Sequence, residues 1–325
     1  MTQPPSADDP IVSVVMAAFN VENYLPQALK SVQQQSLQSL EIIVVDDGST
    51  DQTKAILTDQ AVQDRRIRVL SAHGAGPAGA RNLAIANARG RGISIVDADD
   101  LIDPDRLERM VSIAETRGVD AVADNLLAFY EAPGMKDHVW IDPAVWPSER
   151  KLTFADLMMG GLEGATQPEI GYLKPIIRRS RLAAFATPYR DELVIGEDLD
   201  LMARWTAAGL SYLYLPQPGY RYRRHASSLS YRLSPDQVQG MIDALDTLDV
   251  NAPCHDAQSV AFRRSVLVAE KAYQTNLARL KSGDLAALAP LVMDADGRRR
   301  LARSISEGAV RRLRKARGKL SKHPV

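Results

Sequence analysis

Two acidic motifs lie where short apolar runs end. Asp46 and Asp47 follow the run at residues 41–45, and Asp97 and Asp99 end the run at residues 93–96. Open α/β sheets bind ligands at the carboxyl ends of their strands, so these carboxylates are well placed for binding. Side chains alternate along an extended chain, which predicts that Asp97 and Asp99 point the same way. Convergent carboxylates favour Mg²⁺ or Mn²⁺, which would neutralise charge on a departing nucleotide.

Both motifs also have a simpler interpretation as helix caps. After the first motif, Ser49, Thr50 or Asp51 would cap the next helix. After the second, Asp100 or Asp103 would cap the helix that follows, and we expect this of one of them. Capping by one of these residues is compatible with metal binding by its neighbour.

A glycine-rich stretch leads into a helix that carries Arg81 and Asn82 in its first turns, with glycines at residues 74, 76 and 79. Backbone N–H donors and a cation at such a place could meet a phosphate or brace metal-binding carboxylates. A flexible loop would have the same composition. However, a cation near a helix N-terminus opposes the helix dipole, so we expect Arg81 to have a function.

The elements that position these residues alternate between Val- and Ile-rich runs and helical patterns. Predicted strands cover residues 11–16, 41–45, 67–70, 93–96 and 121–123. Predicted helices cover residues 24–34, a segment from 51, and residues 77–88 and 104–117. This βαβ alternation predicts a buried, mostly parallel sheet.

The alternation breaks after Asn125. Prolines at residues 133, 143 and 147 predict irregular excursions over the sheet edge, where binding loops tend to lie. Order returns with predicted helices at residues 154–159 and 197–208 and a strand at 212–215. Beyond Ser234 the pattern is only helical, at residues 235–248, 259–280 and 284–293.

The composition of the whole chain limits its class. With 325 residues, 45% of them apolar, it can bury a full core. Lysine plus arginine and aspartate plus glutamate each total 40, which argues against a nucleic-acid binder. The single cysteine, Cys254, excludes a disulfide framework and a zinc ribbon. Residues 1–10 do not resemble a signal peptide, and the longest apolar run is too short to span a bilayer, so we expect a soluble, cytoplasmic protein.

Five ordered motifs resemble those of family 2 glycosyltransferases. They are Ala18-Phe19-Asn20, Asp46-Asp47-Gly48-Ser49, Ala80-Arg81-Asn82, Asp97-Ala98-Asp99-Asp100 and Gly196-Glu197-Asp198. The resemblance covers residues 11–232, where Tyr222-Arg223-Arg224-His225 with Ser228 and Ser230 is similar to the family's closing nucleotide loop. It implies a GT-A fold, which is a Rossmann-like α/β sheet with helices on both faces, here followed by a C-terminal helical extension.

The resemblance also implies a domain organisation. Residues 1–10 would be a flexible N-terminus and residues 11–234 the GT-A domain. Within that domain, residues 11–125 would form the nucleotide-binding half and residues 126–234 the acceptor-binding half. Residues 235–325 would form the extension, which ends in a basic amphipathic tail.

A donor site follows from the resemblance, residue by residue. Its members would be Ala18, Phe19, Asn20, Asp46, Asp47, Arg81, Asp97 and His225. Phe19 and Asp46 would help hold the nucleotide base, while Arg81 and Asp97 would contact the nucleotide sugar. Asp99 would bind the metal, Mn²⁺ or Mg²⁺, and His225 would touch the metal or the diphosphate.

The catalytic pair implied by the resemblance is Glu197 and Asp198. Asp198 would take the proton of the acceptor hydroxyl, and Glu197 would help orient the acceptor. Attack at an anomeric carbon needs one positioned carboxylate near the acceptor oxygen, and one is enough for inversion. The alternative is an acidic pair that the helix dipole favours at an N-terminus.

Two further residues are weaker candidates for the acceptor side. Asp124, after the fifth predicted strand, could face an acceptor or simply end the strand. Lys174 precedes a predicted returning strand and resembles a family position near the acceptor cleft, although a solvated lysine would look the same. His73, His138 and His255 show no partner spacing, so we expect surface or satisfied histidines.

The C-terminal tail is strongly cationic. Against the single acid Glu307 it carries Arg298, Arg299, Arg300, Arg303, Arg311, Arg312, Arg314, Lys315, Arg317, Lys319 and Lys322. Apolar residues recur among these cations at three- or four-residue steps, at Val310, Leu313, Ala316 and Leu320. This pattern predicts an interfacial helix on an anionic membrane, at the inner face of the plasma membrane, unless the tail is merely solvated.

The function predicted from these observations is inverting, metal-dependent transfer of a single hexose from a nucleotide-diphospho-sugar. A UDP-sugar donor and a lipid-linked or oligosaccharide acceptor in bacterial surface polysaccharide synthesis are expected, and a homodimer is left open. The transmembrane helices and Gln-X-X-Arg-Trp signature of processive relatives are lacking, which favours single transfer. The alternatives are a sugar-nucleotide nucleotidyltransferase and a non-catalytic binding or scaffold subunit.

Overall fold

The first half of the chain folds as the alternation predicts. The computed structural model describes residues 9–131, 134–162, 167–225 and 233–293, with Arg298 and Leu301. Its first strands are β1 (Val12–Ala18), β2 (Leu40–Asp46), β3 (Ile67–Ser71) and β4 (Gly92–Ile95). They are connected by helices α1 (Leu25–Gln33), α2 (Thr53–Gln63) and α3 (Gly76–Ala86). These four strands are parallel in the order β3-β2-β1-β4, so their carboxyl ends share one edge.

The second half is more irregular. It contains β5 (Leu101–Ile102), α4 (Arg106–Arg117), β6 (Ala121–Tyr130), β7 (His138–Val139), β8 (Arg150–Leu152) and α5 (Phe154–Met159). After these come β9 (Ile176–Arg178), α6 (Arg179–Leu182), α7 (Glu197–Ala207) and β10 (Tyr212–Arg224). The main path of the sheet is β3-β2-β1-β4-β9-β6-β10-β5.

The prediction of a mostly parallel sheet holds for β1 to β4, β6 and β10, which all run in one direction. β9 runs antiparallel to both of its neighbours, β4 and β6, and β5, β7 and β8 also pair antiparallel. The sheet as a whole is mixed: β7 reverses directly against β6, whereas β5, β8 and β9 pair antiparallel with strands that are distant in the chain.

Two strands are longer than predicted. β6 continues to Tyr130 and β10 to Arg224, and the two pair in parallel along their length. The outer end of β10 carries three arginines and lacks a clear apolar pattern, so pairing with the apolar outer end of β6 stabilises it rather than local propensity. The register shifts near Pro218, as expected for a residue that cannot donate to the ladder.

The core lies between the sheet and its flanking helices. Every residue of β2 is buried, and β1 is almost as deeply enclosed. Helix α1 buries Leu25, Leu29 and Val32 on one side, which is the spacing of an amphipathic helix. The apolar runs recognised in the sequence are thus the strands that hold the acidic motifs in place.

The described part of the C-terminal extension is helical, as predicted. It comprises α8 (Pro235–Asp246), α9 (Ala257–Lys281), a 3₁₀ turn at Leu285–Ala287 and α10 (Leu288–Val292). Helix α8 begins with a capping box between Ser234 and Gln237. Within the described ranges, no helix has both the length and the apolar character to cross a bilayer. The cationic tail from residue 302 onward lies outside the described residues.

Candidate active site

The first acidic motif positions the glycine-rich stretch. Asp46 ends β2, is buried, and accepts a hydrogen bond from the backbone of Ser49 at 3.1 Å. The two carboxylate oxygens of Asp47 accept from the N–H groups of Ala75 and Gly76, both at 2.8 Å. Since these N–H groups lie at the start of α3, Asp47 caps that helix from a distant loop.

The expected caps of α2 are only partly found. The helix begins at Thr53, and Asp51 accepts a hydrogen bond from the Thr53 backbone at 2.9 Å. Ser49 and Thr50 instead meet Asn20: the Asn20 N–H donates to the Ser49 hydroxyl, and the Thr50 N–H donates to the Asn20 amide oxygen. These bonds join the ends of β1 and β2 across the edge of the sheet.

The end of β1 presents an open aromatic ring. Ala18 is buried, while Phe19 is 57% exposed. Asn20 has a φ of 51°, in the left-handed region that asparagine tolerates better than most residues. The Asp47 N–H donates to the Ala18 carbonyl at 2.9 Å, so the backbone just before Phe19 is bonded to the first acidic motif.

Arg81 joins two of the acidic motifs. It lies on α3, is almost fully buried, and donates to Asp97 at 2.8 Å and to Glu197 at 2.6 Å. Burial alone would lower the pKa of the guanidinium, but the carboxylates of Asp198, Asp97 and Glu197 raise it well above its ordinary value. As expected, Arg81 braces carboxylates, and these are Asp97 and Glu197 of the protein.

Lys174 is the second cation of the cluster. Its Nζ lies 2.8 Å from Asp97 and 2.6 Å from Asp198, and the residue is only 5% exposed. Burial would lower the pKa of the ammonium, yet Asp198 and Asp97 outweigh it and raise the pKa well above its usual range. The interpretation of Lys174 as a solvated lysine is therefore wrong, because three-dimensional pairing takes it out of water.

Asp198 has a further partner that sequence reasoning missed. The hydroxyl of the buried Tyr189 donates to Asp198 at 3.0 Å. The Tyr189 backbone is held in turn by the side chain of Asn82, which accepts from its N–H at 2.9 Å and donates to its carbonyl at 2.8 Å. No local pattern in the sequence marks Tyr189. The adjacent residues Arg81 and Asn82 were the signal that α3 contributes to the site.

Three carboxylates and two cations thus share one buried cluster, which we call the charged cluster: Asp97, Glu197, Asp198, Arg81 and Lys174. Burial would raise the pKa of Asp97, but Lys174 and Arg81 outweigh it and hold the pKa well below its ordinary value. Burial raises the pKa of Glu197, an effect that Arg81 opposes and Asp198 reinforces. Both acids at the start of α7 also lie where the helix dipole favours negative charge.

The second acidic motif is a turn rather than a continuation of the strand. β4 ends at Ile95, and the Asp100 N–H donates to the Asp97 carbonyl at 3.1 Å. Strand alternation therefore does not apply, and the prediction that Asp97 and Asp99 point the same way had the wrong basis. Asp97 belongs to the charged cluster, whereas Asp99 Oδ2 lies 2.8 Å from Nε2 of His225.

Strand β10 braces this turn. Asp100 is fully buried and accepts from the hydroxyl of Tyr220 at 2.8 Å and from the backbone of Arg223 at 2.7 Å. The Arg223 guanidinium also donates to the Asp99 carbonyl at 2.6 Å. The prediction that Asp100 or Asp103 caps a helix is wrong, since Asp103 accepts from Arg221 and α4 has no side-chain cap.

Asp99 and His225 form the pair that could hold a metal. Adjacent ligands of an octahedral Mg²⁺ lie about 3.0 Å apart when each bond is about 2.1 Å, close to the separation observed here. Among the described residues, no three His, Cys, Asp or Glu side chains converge on one point. Two protein ligands fit an ion whose remaining positions are filled by diphosphate oxygens and water.

Asp124 does not reach the site. It lies within β6, is 0% exposed, and pairs with Arg106 at 2.8 Å and with Arg109 at 3.1 Å. A side chain without exposed surface cannot contact an acceptor in this conformation. The weak acceptor prediction for Asp124 is therefore corrected to a buried ion pair between β6 and α4.

Comparisons with known proteins agree with this geometry. The profile of Glycosyl transferase family 2 matches residues 13–177. Succinoglycan biosynthesis protein ExoO of Rhizobium meliloti (strain 1021) is 34% identical over 244 residues, which cover 74% of this chain and 69% of that protein.

Solved structures share the fold at low sequence identity. The crystal structure of S. aureus TarS 1–349 in complex with UDP-GlcNAc matches with a TM-score of 0.60 at 20% identity, covering 88% of this chain and 77% of that one. Mannosyltransferase PcManGT from Pyrobaculum calidifontis, in complex with GDP-Man and Mn²⁺, matches with a TM-score of 0.54 at 17% identity, covering 91% and 84%. The fold is of the GT-A type, and together with the family match these likenesses show that this chain is a glycosyltransferase that belongs to family 2.

Proposed function

We propose that the chain transfers one hexose, with inversion and with the help of a divalent metal, from a nucleotide-diphospho-sugar to an acceptor hydroxyl. The observation that carries the proposal is the charged cluster, in which Asp97 of the second acidic motif meets Glu197 and Asp198 around two buried cations. Such a cluster holds the Asp198 carboxylate in a fixed position beside the proposed donor site.

Asp198 is the proposed base. Its two oxygens offer about four acceptor positions, and Lys174 and Tyr189 fill two of them. Each oxygen therefore keeps a lone pair for the O–H of an acceptor. Proton transfer to a positioned carboxylate makes the acceptor oxygen nucleophilic as it attacks the anomeric carbon.

Glu197 and Asp97 position the reacting groups. Arg81 connects them, so the start of α7 and the turn after β4 keep a constant separation. The remaining surface of Glu197 would orient the acceptor, and Asp97 with Arg81 would contact the nucleotide sugar. A preorganised site of this kind lowers the cost of bringing donor and acceptor together.

On the donor side, Asp99 and His225 would hold Mn²⁺ or Mg²⁺, and Phe19 with Asp46 would hold the base. The metal supplies neutralisation of the departing diphosphate, which makes a separate general acid unnecessary. The TarS complex with UDP-GlcNAc supports a UDP-sugar, while the PcManGT complex with GDP-Man and Mn²⁺ supports a metal. Our proposal is a UDP-hexose.

The proposed process is bacterial surface polysaccharide synthesis with a lipid-linked or oligosaccharide acceptor, supported by the succinoglycan biosynthesis relative. The basic tail would hold the enzyme at the inner face of the plasma membrane, because each cation near an anionic surface contributes about 1 kcal/mol.

A donor screen tests the function. The purified full chain is incubated with UDP- and GDP-hexoses, with Mn²⁺, with Mg²⁺ or with chelator, and nucleotide release is measured. We expect slow, cation-dependent release of UDP from one donor. If no sugar nucleotide is hydrolysed and none binds by calorimetry with either cation, the transferase proposal is wrong and a non-catalytic role takes its place.

A further inference from the structure

A row of aromatic side chains leads away from the charged cluster. We call Tyr130, His138, Trp140, Tyr172 and Tyr222 the aromatic patch. His138 is exposed, and the other four are partly buried. None of these residues has a role in the site described above.

Trp140 is the centre of the patch and is held rigidly. Its ring packs edge-on against Tyr172, with centroids 5.0 Å apart, and against Tyr222, with centroids 5.9 Å apart. Its indole N–H donates to the carbonyl of Glu169 at 2.7 Å. An aromatic ring fixed on several sides is preorganised, so binding a ligand costs it little conformational entropy.

From Trp140 the patch continues outward in nearly parallel rings. The centroids of Trp140 and His138 are 6.3 Å apart with planes inclined by 22°. Those of His138 and Tyr130 are 5.9 Å apart with planes inclined by 28°. This geometry gives a row that is longer than a single ring.

Sheet register puts the patch on the same face as the charged cluster. Tyr222, Ala128 and His138 are direct partners on three adjacent strands, so their side chains point to one face. Tyr220 is two residues before Tyr222 and shares that face, and its hydroxyl accepts from the Asp97 N–H at 3.0 Å.

The inner end of the patch lies next to the proposed base. Tyr172 is two residues before Lys174, whose ammonium contacts Asp198 at 2.6 Å. The neighbouring Gly171 faces Leu199, which follows Asp198 on α7. The inner end of the patch is therefore on the same short segment as the residue that holds the proposed base, where an acceptor hydroxyl would be deprotonated.

We propose that the aromatic patch binds the sugar rings of the acceptor, and that the acceptor is a glycan of at least two residues. This inference rests on the proposed function. The faces of aromatic rings carry negative potential and attract the C–H groups on a pyranose face, while the sugar hydroxyls stay in water. A row of aromatic and imidazole rings suits sugars better than acyl chains, for which aliphatic side chains would serve.

Tryptophan fluorescence of the full chain can test this proposal. The chain has three tryptophans, and Trp146 and Trp205 are only 4% and 0% exposed, so acrylamide quenching reports mainly on Trp140. The probes are trisaccharides of glucose, galactose, mannose and N-acetylglucosamine, with each monosaccharide for comparison. We expect at least one trisaccharide to protect Trp140 at a concentration about tenfold below its monosaccharide, a difference of about 1.4 kcal/mol.

Two variants test whether the rings of the patch bind the glycan directly. Tyr172→Ala should weaken the protecting trisaccharide about tenfold, which corresponds to loss of one aromatic contact, whereas Trp146→Phe should not change its binding. Donor hydrolysis without acceptor should stay the same in Tyr172→Ala, which separates this inference from the donor screen. Lack of protection by every trisaccharide in the wild type would refute the proposal. Protection by UDP alone would instead assign the patch to the donor, and protection by decanoate alone to a lipid.

Discussion

The geometry of Asp198 is set by two partners. The Lys174 ammonium donates to one carboxylate oxygen at 2.6 Å. The uncharged Tyr189 hydroxyl donates to the other oxygen, which fixes the orientation of the carboxylate. The remaining lone pairs can then point only toward the open side of the cluster, where we place the acceptor.

Asp198→Asn is the first prediction at this scale. The amide keeps the shape of the side chain but cannot take a proton, so donor binding should persist while transfer falls by about 10²–10⁴-fold. Calorimetry with the donor found in the screen and a transfer assay measure the two effects. Wild-type transfer by Asp198→Asn would remove the base assignment. Asp200→Asn, two residues further along α7 and paired with Arg204, is the matched control.

Asp99→Ala should act on the donor instead. Removal of one of two protein ligands should weaken cation-dependent nucleotide binding by about tenfold or more. Even the loss of a hydrogen-bond partner of a metal ligand lowers metal affinity on that scale. Binding is measured by calorimetry with and without Mn²⁺. If the loss is the same in the presence of chelator, Asp99 does not act through a metal. Asp103→Ala, on the other side of β5 and paired with Arg221, controls for general damage to this segment.

At the residue scale, the sequence predicts which residues belong to the site better than it predicts their ion-pair partners. Asp97, Asp99, Glu197 and Asp198 are recognisable from motif order. However, the pairing of Asp97 and Asp198 with Lys174 spans distances in sequence that no local pattern encodes. Asp124 shows the opposite failure, because a carboxylate after an apolar run looks the same whether it meets a ligand or a buried arginine. Only the fold distinguishes the two environments.

At the scale of elements, one buried glutamate connects the strands of the nucleotide half. Glu41 on β2 accepts from the Ser13 hydroxyl on β1 at 2.7 Å and from Arg68 on β3 at 2.9 Å. It also accepts from the backbone of Arg89 at 2.7 Å, just before β4. The adjacent Gly90 has no room for a Cβ beside Ser13, so the chain passes close to β1 there.

Glu41 makes stability depend on pH in a definite direction. Burial would raise its pKa, but hydrogen bonds from Ser13, Arg89 and Arg68 outweigh it and lower the pKa below its ordinary value of 4.5. A carboxyl whose pKa is lower in the folded state stabilises fully above its unfolded pKa, and this contribution is lost as pH falls through the folded pKa.

Glu41→Gln should therefore destabilise the fold by about 1–3 kcal/mol at pH 7. The difference from wild type should shrink as the pH falls below about 4.5, the ordinary pKa of glutamate. Urea unfolding of both proteins between neutral and acid pH measures it, and the exposed Glu149→Gln is the control. A difference that stays constant down to pH 3 would contradict the ionised role of Glu41.

The sequence predicted strands correctly where a run of residues is buried throughout. It failed to predict strand length where pairing with a neighbouring strand determines it. β1 to β4 have apolar runs that need a sheet to cover them. By contrast, the outer half of β10 has charged and aromatic residues such as Arg221 and Tyr222, and its partner is the apolar end of β6. Such strands exist because of their neighbours, so their length could not be read locally.

At the scale of the whole molecule, the helical extension is packed against the catalytic helix. Met241 on α8 contacts Gly196, whose φ of 86° forms the entry to α7. On α9, the buried Arg263 donates to the carbonyls of Leu157, Met158 and Gly160 at the end of α5. The extension therefore supports the two acids of α7 from behind.

Two truncations separate the roles of the extension and the tail. Removal of residues 302–325 takes away eight lysines and arginines but leaves α8, α9 and the Arg298 bond to the Val292 carbonyl in place. Nucleotide release should then stay within about twofold of wild type, whereas sedimentation with anionic vesicles should be lost, since about 1 kcal/mol per cation is removed. Removal of residues 235–325 should lower Tm and abolish release, because Gly196 and the carbonyls around Arg263 lose their partners.

The vesicle result needs a control for charge as distinct from length. A full-length variant with Arg311, Arg312, Arg314 and Lys315 changed to glutamate keeps the tail but reverses its field, so it should also fail to sediment with anionic vesicles. Wild-type protein should release the vesicles as salt rises, because screening shortens the range of the attraction. If the truncated or charge-reversed protein sediments as wild type does, the membrane contact lies elsewhere on the molecule. If removal of residues 235–325 leaves Tm and nucleotide release unchanged, α8 and α9 do not support the catalytic helix.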